Sequence, residues 1–117
     1  MGLLIQETQR PGNICVLELK GTVDMGNVDD LAFKFKDVQK RNLSKVIVDM
    51  KEVESFSSAG WGCLVEAQYK FKQAGGELIL SGMLETQLRV FELMGLEESF
   101  RQFLDIPTAS HEFIGGK

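Results

Sequence analysis

The sequence predicts an α/β domain built on a mainly parallel sheet with crossover helices, and three observations predict it. Short apolar runs alternate with amphipathic stretches along most of the 117 residues, the pattern of strand–helix–strand units. Val46-Ile47-Val48 is a β-branched run of strand length, apolar enough to be covered on both faces. After a small polar turn, Leu64, Ala67, Phe71 and Ala74 recur at three- and four-residue spacing, which places them on one helical face. A chain of this length makes one domain, residues 1–117, with room for a real core but not for two. No low-complexity segment, linker or repeat divides it.

Leu3–Thr8 and Ile14–Lys20 read as two strands joined by Arg10-Pro11-Gly12-Asn13, a turn composition. A loop, Gly21-Thr22-Val23-Asp24, follows. Asn27 is a good N-cap for a helix that starts with Asp29 and Asp30 and ends near Asn42. Its apolar stripe is Val28, Leu31, Ala32, Phe35 and Val38, with Phe33 off the stripe. Lys45–Asp49 is the central strand. A second helix runs from about Ala59 to Ala74 and stops at Gly75-Gly76. Glu77–Ser81 is the next strand and Gly82 turns the chain. The third helix spans Leu84 to Met94, and Arg101–Leu104 forms a last short strand. Pro107-Thr108 precede a tail helix through Phe113, and Gly115-Gly116-Lys117 are expected to fray.

The candidate site is the turn Ser57-Ser58-Ala59-Gly60, between the central strand and the second helix. Such a turn presents unpaired N–H groups and the positive end of a helix dipole. It suits an anion, or a serine that becomes one by phosphorylation; plain helix capping by serine is the alternative. Ligand sites in parallel sheets lie beyond the carboxyl ends of the strands. That rule gathers Thr22, Asp24, Ser57, Ser58 and the Ser81-Gly82-Met83 loop at one edge.

Bulk charge narrows the function. Asp and Glu number 17 against 13 Lys and Arg, a net charge of −4, which argues against a nucleic-acid partner. No apolar run reaches the length of a membrane span, and neither a secretory signal nor a myristoylation motif opens the chain. Cys15 and Cys63 lack metal-ligand spacing, and the lone His111 is far from both, so free thiols and a cytoplasmic location are expected. Cys63, near a helix N-terminus, is a candidate for a lowered pKa or for packing. No cofactor motif is present.

These landmarks, taken in order, resemble the STAS family, which includes the bacterial anti-sigma-factor antagonists. The resemblance rests on Leu19-Lys20-Gly21-Thr22-Val23-Asp24, Val46-Ile47-Val48-Asp49-Met50, the serine turn, Gly75-Gly76-Glu77-Leu78-Ile79-Leu80 and Val90-Phe91-Glu92-Leu93-Met94-Gly95-Leu96. It implies a single-layer sheet with its helices packed mostly on one side, behind an N-terminal strand pair. It further implies a partner, an ATP-dependent serine kinase that is also an anti-sigma factor, and a phosphatase that reverses the modification. The family's turn usually reads Asp-Ser-Ser/Thr-Gly-Leu-Gly. Gly60-Trp61-Gly62 then places the phosphorylated residue at Ser58, with Ser57 where an aspartate is usual. Asp24 matches the acidic residue of the partner-facing loop. Thr22, Ser57, Gly60, Trp61 and Met83 complete the expected partner surface; Trp61, a bulky aromatic in the first turn of the helix, is expected either partly exposed beside the switch or packed in the core.

Two other readings use the same turn. One is a small-anion or nucleotide-binding module, although no glycine-rich loop with a lysine accompanies the helix start. The other is a STAS subunit of a larger stress-signalling or transport assembly. An enzyme is the weakest reading, because no G-x-S-x-G elbow surrounds Ser58 and His111 sits in the tail. Asp24 and Asp49 are carboxylates, but Asp49 is expected to accept backbone hydrogen bonds.

Overall fold

The computed structural model describes residues 2–115. The chain begins with an antiparallel hairpin, β1 (Leu3–Arg10) and β2 (Ile14–Val23), paired from Leu3 opposite Gly21 to Arg10 opposite Ile14. Helix α1 (Val28–Lys40) returns the chain to β3 (Lys45–Phe56), which lies parallel to β2. Helix α2 (Ser58–Gln73) leads to β4 (Glu77–Ser81), and α3 (Glu85–Leu93) with a short 3₁₀ turn leads to β5 (Gln102–Phe103). Helix α4 (Ile106–Gly115) closes the chain. The sheet order is β1-β2-β3-β4-β5, with every pair after the hairpin parallel.

Alternation along the strands sends two sets of side chains to opposite faces. Cys15, Leu17, Leu19, Val46, Val48, Met50, Leu78 and Leu80 face one way and pack under three helices, against Leu31, Phe35 and Val38 of α1, Trp61, Leu64 and Phe71 of α2, and Phe91 of α3. Ile14, Val16, Ile47 and Ile79 face the other way, onto Ala109 of α4 with Phe103, Ile106 and Phe113 around it. Three helices thus cover one face and α4 the other, the expected arrangement. Phe33, off the apolar stripe of α1, is 65% exposed.

Three strands outrun the apolar runs that announced them. β1 continues to Arg10, and β2 ends at Val23 rather than Lys20. β3 continues seven residues past Asp49 through Lys51, Glu52, Glu54 and Ser55. The extra length is held by pairing: Lys20 lies opposite Glu52, Gly21 opposite Val53, Thr22 opposite Ser55 and Val23 opposite Phe56, with two register irregularities. Backbone ladder bonds do not require apolar side chains, so the hydropathy pattern ended before the strand did. Helix α4 reaches Gly115; Gly116 and Lys117, also expected to fray, lie outside the described residues.

Buried glutamines tie the layers together. The Gln68 amide donates to the carbonyls of Leu78 (3.0 Å) and Ser99 (2.8 Å), and its oxygen accepts the Leu78 N–H at 2.7 Å. Gln87 accepts from the Leu84 N–H and donates to the Val53 carbonyl at 2.8 Å, anchoring the start of α3 on β3. Each buried amide meets backbone groups that the ladders leave open, so desolvation is compensated.

Candidate functional site

β2 and β3 run on together past the end of β4, and their last paired residues, Val23 and Phe56, bring two loops side by side. The Ser57 N–H donates to the Val23 carbonyl at 3.0 Å, which fixes the start of α2 against the end of β2. Gly60 makes this approach possible. A Cβ there would lie 2.9 Å from the Phe56 ring and 3.0 Å from Val23 Cγ1, inside ordinary contact distance.

The loop after Val23 is pinned by its own side chains. Asp24 Oδ1 accepts from the Gly26 N–H (2.9 Å) and the Asn27 N–H (3.2 Å). Asn27 Oδ1 accepts the Asp24 N–H at 2.9 Å, and its amide donates to the Thr22 carbonyl at 2.8 Å. Asn27 stands at the N-cap position of α1, yet its side chain makes no cap bond. The expected capping role is replaced by bracing of the loop, because the nearer Asp24 and Thr22 backbone groups occupy the amide.

The two serines differ. Ser57 occupies the N-cap position of α2 in an extended conformation (φ −81°, ψ 172°), but its hydroxyl makes no cap bond. Its Oγ is buried without a hydrogen-bond partner among the described residues. Ser58, the first helical residue, is exposed. Simple capping is therefore not what either serine hydroxyl does, and Ser58 is the one whose hydroxyl a second protein can reach. Two features of the start of α2 suit a negative group, its orphan N–H groups and its dipole, and no acidic residue occupies its first turn.

Thr22, Asp24, Ser57, Ser58 and Gly60 converge as the sequence suggests. Trp61 and Met83 pack toward the core. Trp61 is 1% exposed, edge-on to Phe56 with ring centroids 4.9 Å apart and 6.1 Å from Phe91. Of the two settings expected for the indole, the core is the one it occupies. The signal was present: Trp61 precedes Leu64 by three and Gln68 by seven, the same helical face. Met83 follows Ser81, which pairs with Asp49, seven residues before the end of β3. From there the chain advances toward the start of α3, which Gln87 ties to Val53, and Met83 packs half-buried against the main core.

The remaining titratable candidates differ in their surroundings. Asp49 is 7% exposed in mid-strand, accepting the Ser81 hydroxyl at 2.7 Å and the Lys51 N–H at 3.4 Å. A Cβ on Gly82 (φ +69°) would fall 2.7 Å from its Oδ1, so glycine closes this tie. His111 is exposed on α4. Cys15 and Cys63 are free thiols. Burial pushes the Cys63 thiol up to about 11, with Glu66 and Asp29 adding to it, and the Cys15 thiol up to about 12. The lowered pKa considered for Cys63 is thus reversed: desolvation outweighs the helix terminus, and the side chain packs against the core. Among the described residues no helix is long and apolar enough to cross a membrane.

With this geometry in place, comparison with known proteins gives a consistent answer. A model of the STAS domain matches residues 6–109. An anti-sigma factor antagonist from Mycobacterium paratuberculosis superposes with a TM-score of 0.88 at 18% identity, covering 97% of this chain and 95% of its own. An anti-sigma-factor antagonist (STAS) domain protein from Planctomyces limnophilus gives 0.80 at 17% identity, with 95% and 98% covered. The phosphorylated form of the Bacillus cell fate determinant SpoIIAA gives 0.69 at 19% identity, with 85% and 90% covered. At these identities the structures share the fold.

Proposed function

The chain belongs to the STAS domain family, and from that premise we propose that it is an anti-sigma-factor antagonist switched off by phosphorylation of Ser58. In this reading it binds an anti-sigma factor that is also a serine kinase and so frees the sigma factor. A cognate phosphatase restores the active form. The observation that carries the reading is the contrast within the turn: Ser58 is exposed at the first position of α2, whereas the Ser57 hydroxyl is buried. A kinase needs the serine oxygen in reach of the γ-phosphate, so Ser57 is not the acceptor.

The chemistry belongs to the kinase and phosphatase; this domain supplies the hydroxyl and its surroundings. A phosphoserine adds about −1.5 to −2 charges at neutral pH. In the free domain the aligned N–H groups at the start of α2 stabilise that charge by roughly 0.3–1 kcal/mol. No rearrangement of the core is required, since Ser58 faces outward while Gly60 and Trp61 beside it hold the helix in place. Against a partner surface fitted to a small hydroxyl, the same group brings bulk and a charge that must lose water. It also lies beside the loop carrying the exposed Asp24. A few kcal/mol of such cost is enough, because each 1.4 kcal/mol is about tenfold in affinity.

The test begins with co-purification of the protein from its own cells and identification of a bound kinase. Phosphopeptide mapping after incubation with that kinase and ATP should place the phosphate on Ser58. In calorimetric titration Ser58→Ala should bind like the wild type, and Ser58→Asp at least roughly tenfold more weakly with an unchanged circular dichroism spectrum. Modification confined to Ser57, or equal affinity for both variants, overturns the proposal.

A further inference from the structure

Charge is distributed along this chain in two unequal parts. Residues 21–33 and 52–69, the segments that include the serine turn and the loop beside it, contain Asp24, Asp29, Asp30, Glu52, Glu54 and Glu66 and no Lys, Arg or His. The rest of the chain holds all 13 Lys and Arg against the other 11 Asp and Glu. The excess negative charge therefore belongs to these two segments: Asp24, Asp29, Asp30 and Glu54 lie at the serine-turn end, Glu52 faces Lys20 on β2, and Glu66 lies two turns along α2. Helices α1 and α2 both begin at the serine-turn end and pack on one another. Asp29 of α1 is near enough to Cys63 of α2 for its charge to act on the thiol. Asp24, Asp29, Asp30 and Glu54 are all exposed, and none of them makes a salt bridge among the described residues.

Within this acidic rim stands one large apolar side chain. Met25 is 85% exposed, although both residues beside it are held by the Asp24–Gly26 and Asp24–Asn27 bonds. Its loop is fastened to the start of α2 through the Val23–Ser57 bond. Exposed hydrophobic residues are ordinary when scattered. This one differs because a braced loop presents it beside the switch serine. Little backbone entropy remains to be lost when such a residue is covered, which favours binding.

We infer that Met25 is an anchor for a protein partner whose contacting surface is an apolar pocket ringed by lysine and arginine. The inference rests on the proposed location of the partner site at the serine turn and adds the chemistry of what docks there. A second copy of this chain is disfavoured as the occupant, since a symmetric contact would set one acidic rim against another. Nucleic acid is disfavoured by the same charge. Phosphate on Ser58 would then land within a field that is already negative, with no basic residue of either segment to pair with it. The attraction should act mainly on the rate of encounter and weaken as salt screens it.

The test places the photo-reactive residue p-benzoylphenylalanine at position 25 in the full chain, expressed in the cells that make it, with the same residue at position 93 as control. Leu93 is 82% exposed on α3 and lies outside both acidic segments. Irradiation from position 25 should join the chain to one other protein. The mapped peptide of that protein should combine apolar residues with Lys or Arg. Asp29→Lys with Asp30→Lys should cut the yield by several-fold while circular dichroism stays unchanged. No adduct above the position-93 level, an adduct to a second copy, a peptide without basic residues, or a yield indifferent to the charge reversal each overturns the inference. Ser58→Asp separates it from the switch reading. Loss of the adduct agrees with both, whereas retention of an adduct to a basic surface supports the anchor and overturns the switch.

Discussion

Replacing Trp61 by alanine tests whether the indole is a pillar of the fold or a contact for a partner. The side chain is 1% exposed and wedged between Phe56 and Phe91. Truncating a buried Trp removes its transfer free energy and leaves a cavity, together costing about 3–5 kcal/mol. For 117 residues, an unfolding entropy of about 2.1 cal/mol/K per residue gives roughly 0.25 kcal/mol/K for the domain. The expected fall in Tm is thus about 12–20 °C, a large share of a total stability of about 5–15 kcal/mol. Thermal unfolding followed by far-UV circular dichroism measures it directly. Because Trp61 is the only tryptophan, wild-type fluorescence gives a second reading: emission on the blue side and weak quenching by acrylamide. Trp61→Phe should keep most of the stability by preserving an aromatic neighbour for Phe56. A Tm within about 4 °C of wild type for Trp61→Ala, roughly 1 kcal/mol, would refute the core assignment and return the indole to the surface.

Ser57→Ala should leave stability unchanged or raise it by up to about 1 kcal/mol in urea titration, since it removes a buried hydroxyl without a partner; a loss near the 1 kcal/mol typical of a cap would show that the oxygen caps α2. Glu7 bridges Lys34 at 2.7 Å and Arg41 at 2.8 Å. Burial raises its carboxyl pKa, but the bonds from those two cations outweigh it and hold the group below its ordinary 4.5. A folded pKa below the unfolded one adds stability above about 4.5 that is lost as pH falls through the folded value. Glu7→Gln should therefore cost up to about 1 kcal/mol at pH 7, and unfolding curves of the two proteins should converge as pH falls below the lowered folded pKa of Glu7. Both thiols should react slowly with iodoacetamide in the native protein at pH 7, Cys63 faster than the fully buried Cys15; rapid alkylation of Cys63 would contradict its desolvated setting.

The order of elements was legible because each carries its own periodicity: the β-branched run at Val46, the spacing of Leu64, Ala67 and Phe71, and the glycines after α2. Length was less legible. Lys51 through Ser55 read as a loop on composition, yet they form strand because β2 continues beside them, and only the partner strand carries that information. The convergence of Asp24 with Ser58 followed from topology alone. Trp61 and Met83 were less legible for separate reasons. Trp61 was weighed by residue type rather than by its helical phase with Leu64. Met83 was placed by the rule that ligand sites lie beyond the strand ends, which does not foretell that its side chain packs half-buried against the core. Met25 and the buried Ser57 oxygen left no trace in hydropathy, since exposure of a loop side chain and the aim of a hydroxyl are properties of the folded chain.

The backbone also settles how the molecule can be held. The Thr22 N–H donates to the Gly2 carbonyl at 3.3 Å, and a Cβ on Gly21 would strike that same oxygen. A fusion placed ahead of Gly2 therefore emerges next to the braced loop and crowds the space in front of it. Helix α4 runs the other way. Its first residues line a cleft with Glu52, while Ile114 near its end reaches Gly12 in the hairpin turn, so a tether leaving from there hangs off the opposite pole. Surface immobilisation through α4 would leave the serine turn facing solution, whereas attachment through the first residues would set that turn and the braced loop toward the surface.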